Sequence, residues 1–186
     1  GRAFSFSYGE KENGAIFSHM AVMFSYALYK QKFAREGWKV LSSLYKMALN
    51  TPNSKIYPCL PEYFNLEGRG MYSYLTGSAS WFVLTMLTQV FGVKGLNGDL
   101  VIEPKLSAEH FHNNSSISIE RIFAGKRIKV KFSNSGKLAY GKYKIVKASL
   151  NFKSLPIDKR DSLVFSREVI LGLPARKLNL IEIRLA

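Results

Sequence analysis

"ISIERIFAGKRIKVKFS", residues 117–133, decides how the C-terminal part of this chain is built. Ile117 and Ile119, then Ile128, Val130 and Phe132, alternate with Ser118, Lys129 and Lys131. Successive side chains of a strand point to opposite faces, so each arm reads as a half-buried strand. Ala124-Gly125 marks the bend of a hairpin. Downstream, "KYKIVK" (142–147), "SLVFSR" (162–167) and "LNLIEIRLA" (178–186) read as further strands. In the last, Ile181, Ile183 and Leu185 oppose Glu182 and Arg184. The expectation is a β-sandwich or similar antiparallel fold.

Upstream of Gly98 the period is helical. Ile16, Met20, Met23, Phe24 and Ala27 recur at helix spacing, and Phe17, Ala21 and Leu28 widen the stripe. A second helix over about 34–49 sets Trp38, Leu41, Leu44, Tyr45 and Ala48 on one side, with Lys39, Ser42, Ser43 and Lys46 elsewhere. A third is expected from Gly77 towards Phe91, stopped by a left-handed Gly92. Between the last two lies "NTPNSKIYPCLPEYFNLEGRGMYSY", residues 50–74, a long loop too rich in Tyr, Phe, Leu and Pro to be disordered. Three helices with such wide apolar stripes cannot shield themselves from water, so they read as one sector of a larger helical assembly. The expected class is α+β, with an incomplete helical domain over 1–97 and a β domain over 98–186.

The composition is globular: 47% hydrophobic and 22% charged residues. Net charge is +14 and uneven, ten Lys and Arg against six Asp and Glu in residues 1–100, seventeen against seven beyond. A basic second half suits nucleic acid or an anionic surface, or simply a solvated sheet face. The Lys126, Arg127, Lys129, Lys131 stripe fits the solvated face, and no nucleic-acid partner is expected. No uncharged apolar run reaches roughly 18 residues, so no spanning helix and no membrane partner are expected. Cys59 is the lone cysteine, which fits a reducing, cytoplasmic setting without disulfides. His110 and His112 in "EHFH" stand two apart, too sparse for a metal site in a chain with three histidines and one cysteine. The apolar opening "GRAFSFSY" leads to the expectation of a piece of a longer polypeptide.

Chemistry concentrates at two helix starts. "YLTGSASW" puts Thr76 at an N-cap, with Gly77 and Ser78 opening the turn. The first amides of a helix lack intrahelical partners and the dipole is positive there, so the end suits an anion. Gly77 leaves that backbone bare; ordinary capping explains Thr76 equally well. His19, in "KENGAIFSH" (11–19), sits among apolar helix neighbours. It reads either as a hydrogen-bonded core residue or as a donor to phosphate. Lys11 and Glu12 offer a donor and an acceptor for sugar hydroxyls, or an ordinary solvated helix start.

The segments "KENGAIFSH", "PEYFNLEGRGMYSYLTGSASW" and "GDLVIEPKL" come in this order. Together they resemble the end of the inverting glycoside phosphorylases of glycoside hydrolase family 94, formerly filed as a glycosyltransferase family, over roughly residues 8–106. The resemblance implies the last helices of an (α/α)6 barrel followed by a small antiparallel β-sandwich. Lys11 and Glu12 then match the pair that grips the acceptor-side sugar, His19 the phosphate-binding histidine, and Thr76 with Gly77 the phosphate-binding Thr-Gly. "PEYFNLEGRG" looks closest to the β-1,2-oligoglucan branch, where Glu62 and Arg69 would border the acceptor site.

The implied activity is reversible phosphorolysis of a β-glucan or β-linked disaccharide to α-glucose 1-phosphate. Inorganic phosphate is the co-substrate, and no cofactor is implied. Inverting hydrolases need two carboxylates; anionic phosphate makes the base dispensable, leaving one general acid and a cradle for the nucleophile. In the family that acid is an aspartate upstream of the Lys-Glu pair, whereas Asp99, Asp158 and Asp161 all lie downstream. No catalytic residue is therefore assigned here. The missing N-terminal part of the polypeptide is the expected partner, with a homodimer as a further expectation. Two rival readings stay open: the C-terminal module of a cyclic β-1,2-glucan synthase, and a non-catalytic carbohydrate- or nucleic-acid-binding module working through the basic β domain.

Overall fold

The computed structural model describes residues 5–56, 59–73 and 77–186. The chain divides into two compact units, Gly1–Met86 and Leu87–Ala186.

In the first unit, β1 (Ile16–Phe17) runs straight into α1 (Ser18–Lys30), followed by α2 (Ala34–Leu49) and the single turn α3 (Thr51–Ser54). Two short strands, β2 (Tyr63–Phe64) and β3 (Gly70–Met71), precede α4 (Gly77–Thr85). The stretch expected as a loop thus carries α3, β2 and β3. β2 pairs antiparallel with both β1 and β3, and its aromatic side chains suit a pleated, covered position: Tyr63 and Phe64 are buried. Strands of two residues are too short for an alternating pattern to register.

α2 follows its spacing. Leu41, Leu44 and Ala48 are buried, Trp38 is half-buried, and Tyr45 at the edge of the stripe is exposed. α1 departs from it. Its buried positions are Ser18, Val22, Ser25 and Tyr29, while Met20, Met23 and Phe24 are 68%, 43% and 57% exposed. The cause is a close crossing with α2. The Ser25 hydroxyl donates to the Gly37 carbonyl at 2.8 Å, and Gly37 leaves room for the Tyr29 ring. Met20 and Met23 therefore stay exposed, and Ala21, Phe24 and Leu28 line an open apolar groove beside Val40, Leu44 and Met47 of α2.

α4 passes at Met86 into a π-helical turn, Met86–Val90. Thr85 Oγ1 bonds back to the Trp81 carbonyl at 2.7 Å, a contact that bends helices. Gly92, at φ +68°, then takes the left-handed stop the sequence predicts.

The second unit holds β4 (Val93–Leu96), β5 (Asp99–Ile102), β6 (Ser116–Phe123), β7 (Lys126–Ser133), β8 (Ile145–Leu150), β9 (Lys153–Ser154), β10 (Leu163–Phe165), α5 (Arg167–Leu171) and β11 (Leu178–Leu185). One sheet is ordered β10-β5-β4 and the other β6-β7-β11-β8-β9. The hairpin at Ala124-Gly125 is as expected, with both residues at positive φ. The class is mixed α and β with mainly antiparallel sheets.

One pairing corrects the purely antiparallel expectation: β11 lies parallel to β7 and antiparallel to β8. A strand inserted between two oppositely directed neighbours must run parallel to one of them. Residue alternation sets which face is buried but says nothing about a neighbour's direction. Ile128, Val130, Phe132, Ile145, Ile181 and Ile183 form the core of this sheet, and Phe91 packs on Phe132 with centroids 6.3 Å apart. Among the described residues no helix is long and apolar enough to cross a membrane.

Candidate functional site

His19 lies in the first turn of α1 and Gly77 opens α4. The structure brings them into contact. A Cβ added to Gly77 would stand 2.8 Å from His19 Cε1, 3.0 Å from Nδ1 and 3.2 Å from Nε2. The imidazole therefore lies across bare helix-start backbone, where a larger residue would displace it. Nε2 is buried and has no hydrogen-bond partner among the described residues, an arrangement that costs free energy unless something accepts from it or donates to it. Thr76 lies outside the described residues.

Trp81, one turn further along α4, backs the imidazole with centroids 6.2 Å apart, and Tyr26 of α1 meets Trp81 edge-on at 5.4 Å. Both helix starts are tied to one short stretch. The Ser18 amide donates to the Glu62 carbonyl at 2.8 Å, and the Ser78 hydroxyl to the Pro61 carbonyl at 2.9 Å. Pro61-Glu62 thus fixes the spacing between His19 and the α4 amides. No sequence pattern marks it, because its work is done by backbone carbonyls.

The same stretch holds the second cluster. Lys11 Nζ pairs with Glu62 Oε2 at 3.1 Å and sits 4.0 Å from the centroid of the Tyr72 ring, a cation–π distance. Tyr63 donates its hydroxyl to Glu10 Oε2 at 2.6 Å. The structure brings Lys11 and Glu62 together and leaves Glu12 and Arg69 exposed. Arg69 closes the turn after β2, where its amide donates to Asn65 Oδ1 at 3.0 Å. Glu10, Tyr63, Tyr72 and Trp81 were not singled out from the sequence, because their roles depend on contacts between segments far apart in the chain.

These contacts set a pH dependence. The Glu62 hydrogen bond raises the Lys11 ammonium above its ordinary 10.5. Burial, aided by Glu10, raises the Tyr63 phenol above its ordinary 10.0. Both groups hold their protons more tightly folded than unfolded. Their stabilisation is complete below about pH 10 and is lost as pH rises through the elevated folded values. Chemical denaturation followed at rising pH should show the first unit weakening above about pH 10. Tyr63→Phe should flatten that decline; an unchanged alkaline slope in the variant would remove the phenol from it.

Elsewhere, His110 Nδ1 lies 2.8 Å from the Ser107 hydroxyl and closes a capping box. No group of three metal-ligating side chains occurs among the described residues. Along β7 the basic stripe is partly matched locally. Arg127 binds Glu120 at 2.6 Å, Lys131 lies 3.7 Å from Glu182, and Lys126 donates to the Leu173 carbonyl at 2.6 Å.

No family model matches the chain. A curated glucan synthase is similar to it. The cyclic β-(1,2)-glucan synthase NdvB of Rhizobium meliloti (strain 1021) is 28% identical over 111 residues, 54% of this chain. The chain spans 4% of the length of NdvB.

Proposed function

We propose that this chain is the C-terminal part of a β-glucan-active enzyme of the glycoside hydrolase family 94 type. Its helices are the last of an (α/α)6 barrel, and its site receives inorganic phosphate as the nucleophile of an inverting phosphorolysis. The observation that carries this reading is Nε2 of His19, without a hydrogen-bond partner among the described residues, beside the bare backbone of Gly77. An imidazole N–H and unsatisfied helix amides make a cradle for one oxyanion. The exposed apolar face of α1 agrees with barrel helices supplied from elsewhere in a longer polypeptide. Lys11, Glu62 and the Tyr72 ring suit a sugar, since a pyranose needs donors, acceptors and a flat apolar surface at once. The general acid at the glycosidic oxygen is an aspartate outside this chain.

A second reading has comparable support: a module of a cyclic β-(1,2)-glucan synthase, favoured by the similarity to NdvB. Both share the site, and they differ in the product made by the full-length polypeptide. With β-1,2-linked glucan and phosphate, α-glucose 1-phosphate marks the first and cyclic glucan the second.

The site itself is tested on this chain. Inorganic phosphate, titrated while backbone amide resonances are recorded, should shift Gly77 and Ser78, and His19→Ala should remove the shifts. A titration that leaves those amides unmoved defeats both forms of the proposal.

A further inference from the structure

The outer face of the five-stranded sheet is arranged in rows across its strands. Glu120 of β6 faces Lys129 of β7, and Lys131 of β7 faces Glu182 of β11, so these rows mix signs. The next row does not. Ser133, Arg184 and Lys147 stand in register on β7, β11 and β8 with no carboxylate among them. Lys147 stands opposite Arg184 in the regular register of β11 and β8, and the pairing shifts only beyond this pair, where Leu185 faces Ile145 and Val146 is passed over. Like charges placed opposite each other repel. Both residues are exposed, and neither makes a hydrogen bond or ion pair among the described residues.

A second anomaly borders the same place. Asn151 and Phe152 form the β8–β9 turn at φ +47° and +68°, the position where glycine is ordinarily found. Phe152 is nonetheless 84% exposed. The turn needs this backbone, but a bulky ring carries it under strain and, turned to water, gains no packing in return. Phe152, Lys131, Lys147, Glu182, Arg184 and Ser133 line one cavity of about 430 Å³.

We propose that this cavity binds a phosphorylated saccharide, independently of the His19 site. The phosphoryl group bridges Arg184 and Lys147, the apolar face of the sugar ring lies on Phe152, and Glu182 with Ser133 meets the hydroxyls. A carboxylate in the pocket favours a polyol over a continuous phosphodiester, because it accepts from sugar hydroxyls and repels a chain of phosphates. Inorganic phosphate shares the phosphoryl chemistry but lacks the ring.

The test uses the whole chain and backbone amide resonances. α-Glucose 1-phosphate should shift the amides of Lys147, Phe152 and Arg184. Inorganic phosphate should shift Lys147 and Arg184 and spare Phe152, and a neutral glucose disaccharide should bind far more weakly. Arg184→Gln and Lys147→Gln should each weaken the sugar phosphate about tenfold, and Phe152→Ala about fivefold, with inorganic phosphate unaffected by the last. The proposal is overturned if shifts appear only at His19 and Gly77, if all three variants bind normally, or if a single-stranded oligonucleotide displaces the sugar phosphate at lower concentration.

Discussion

Gly77→Ala is expected to weaken phosphate binding at the His19 site by about tenfold to a hundredfold while leaving the chain folded. One methyl group causes this. Its carbon would meet the imidazole at 2.8–3.2 Å on three ring atoms, closer than carbon contacts tolerate, and the ring is backed by Trp81. The ring must turn, so Nε2 leaves the position from which it shares an oxyanion with the α4 amides. A charge-assisted hydrogen bond lost in this way costs about 1.5–3 kcal/mol. His19→Ala removes the same bond by a different route. The two changes should therefore not add: in a double-mutant cycle, Gly77→Ala made in the His19→Ala background should cost little further. Phosphate titration of the four proteins checks this. Additive losses would mean that the methyl group acts on the amides directly and that His19 is a bystander. An unweakened Gly77→Ala variant would mean that no anion sits there.

The juxtaposition behind that prediction was half legible in the sequence. A glycine after a capping threonine announces a bare helix start, and a polar residue amid Ile16 and Met20 announces an unusual histidine. Neither tells that the two are neighbours. Their meeting depends on Pro61 and Glu62 holding two helix starts through carbonyl groups, and carbonyls leave no trace in residue identity. The stripe of α1 failed for a related reason. Hydrophobic spacing reports that a face is apolar, not which partner covers it, and the helix crossing was decided by small residues, Ser25 and Gly37. The β6–β7 hairpin was readable because its strands are long, β7 alternates strictly and a two-residue turn joins them, although in β6 Arg121 takes an inward position and Ile122 faces solvent. The parallel placement of β11 was not, since alternation is blind to strand direction.

Gly92→Ala should destabilise the second unit strongly, at roughly 3–5 kcal/mol. Two costs combine. At φ +68° an alanine pays about 1–2 kcal/mol for left-handed backbone. Its Cβ would also land on the carbonyl of Glu103, a backbone group that cannot rotate aside. That carbonyl stays close because two hydrogen bonds hold the segments together, Glu103 N to Gly92 O at 2.9 Å and Lys105 N to Val90 O at 3.0 Å. Forcing them apart strains both bonds. It also loosens buried Lys105 from Gln89, 3.2 Å away, and disturbs Phe91 on Phe132. Gly141→Ala supplies the comparison: its φ is +86° but nothing lies within 4 Å of an added Cβ, so only the same conformational cost of about 1–2 kcal/mol applies. Denaturant midpoints for the two variants, at unchanged m, measure the difference. If Gly92→Ala and Gly141→Ala lose the same stability, the approach of Gly92 to the Glu103 carbonyl is not what holds the start of this unit together.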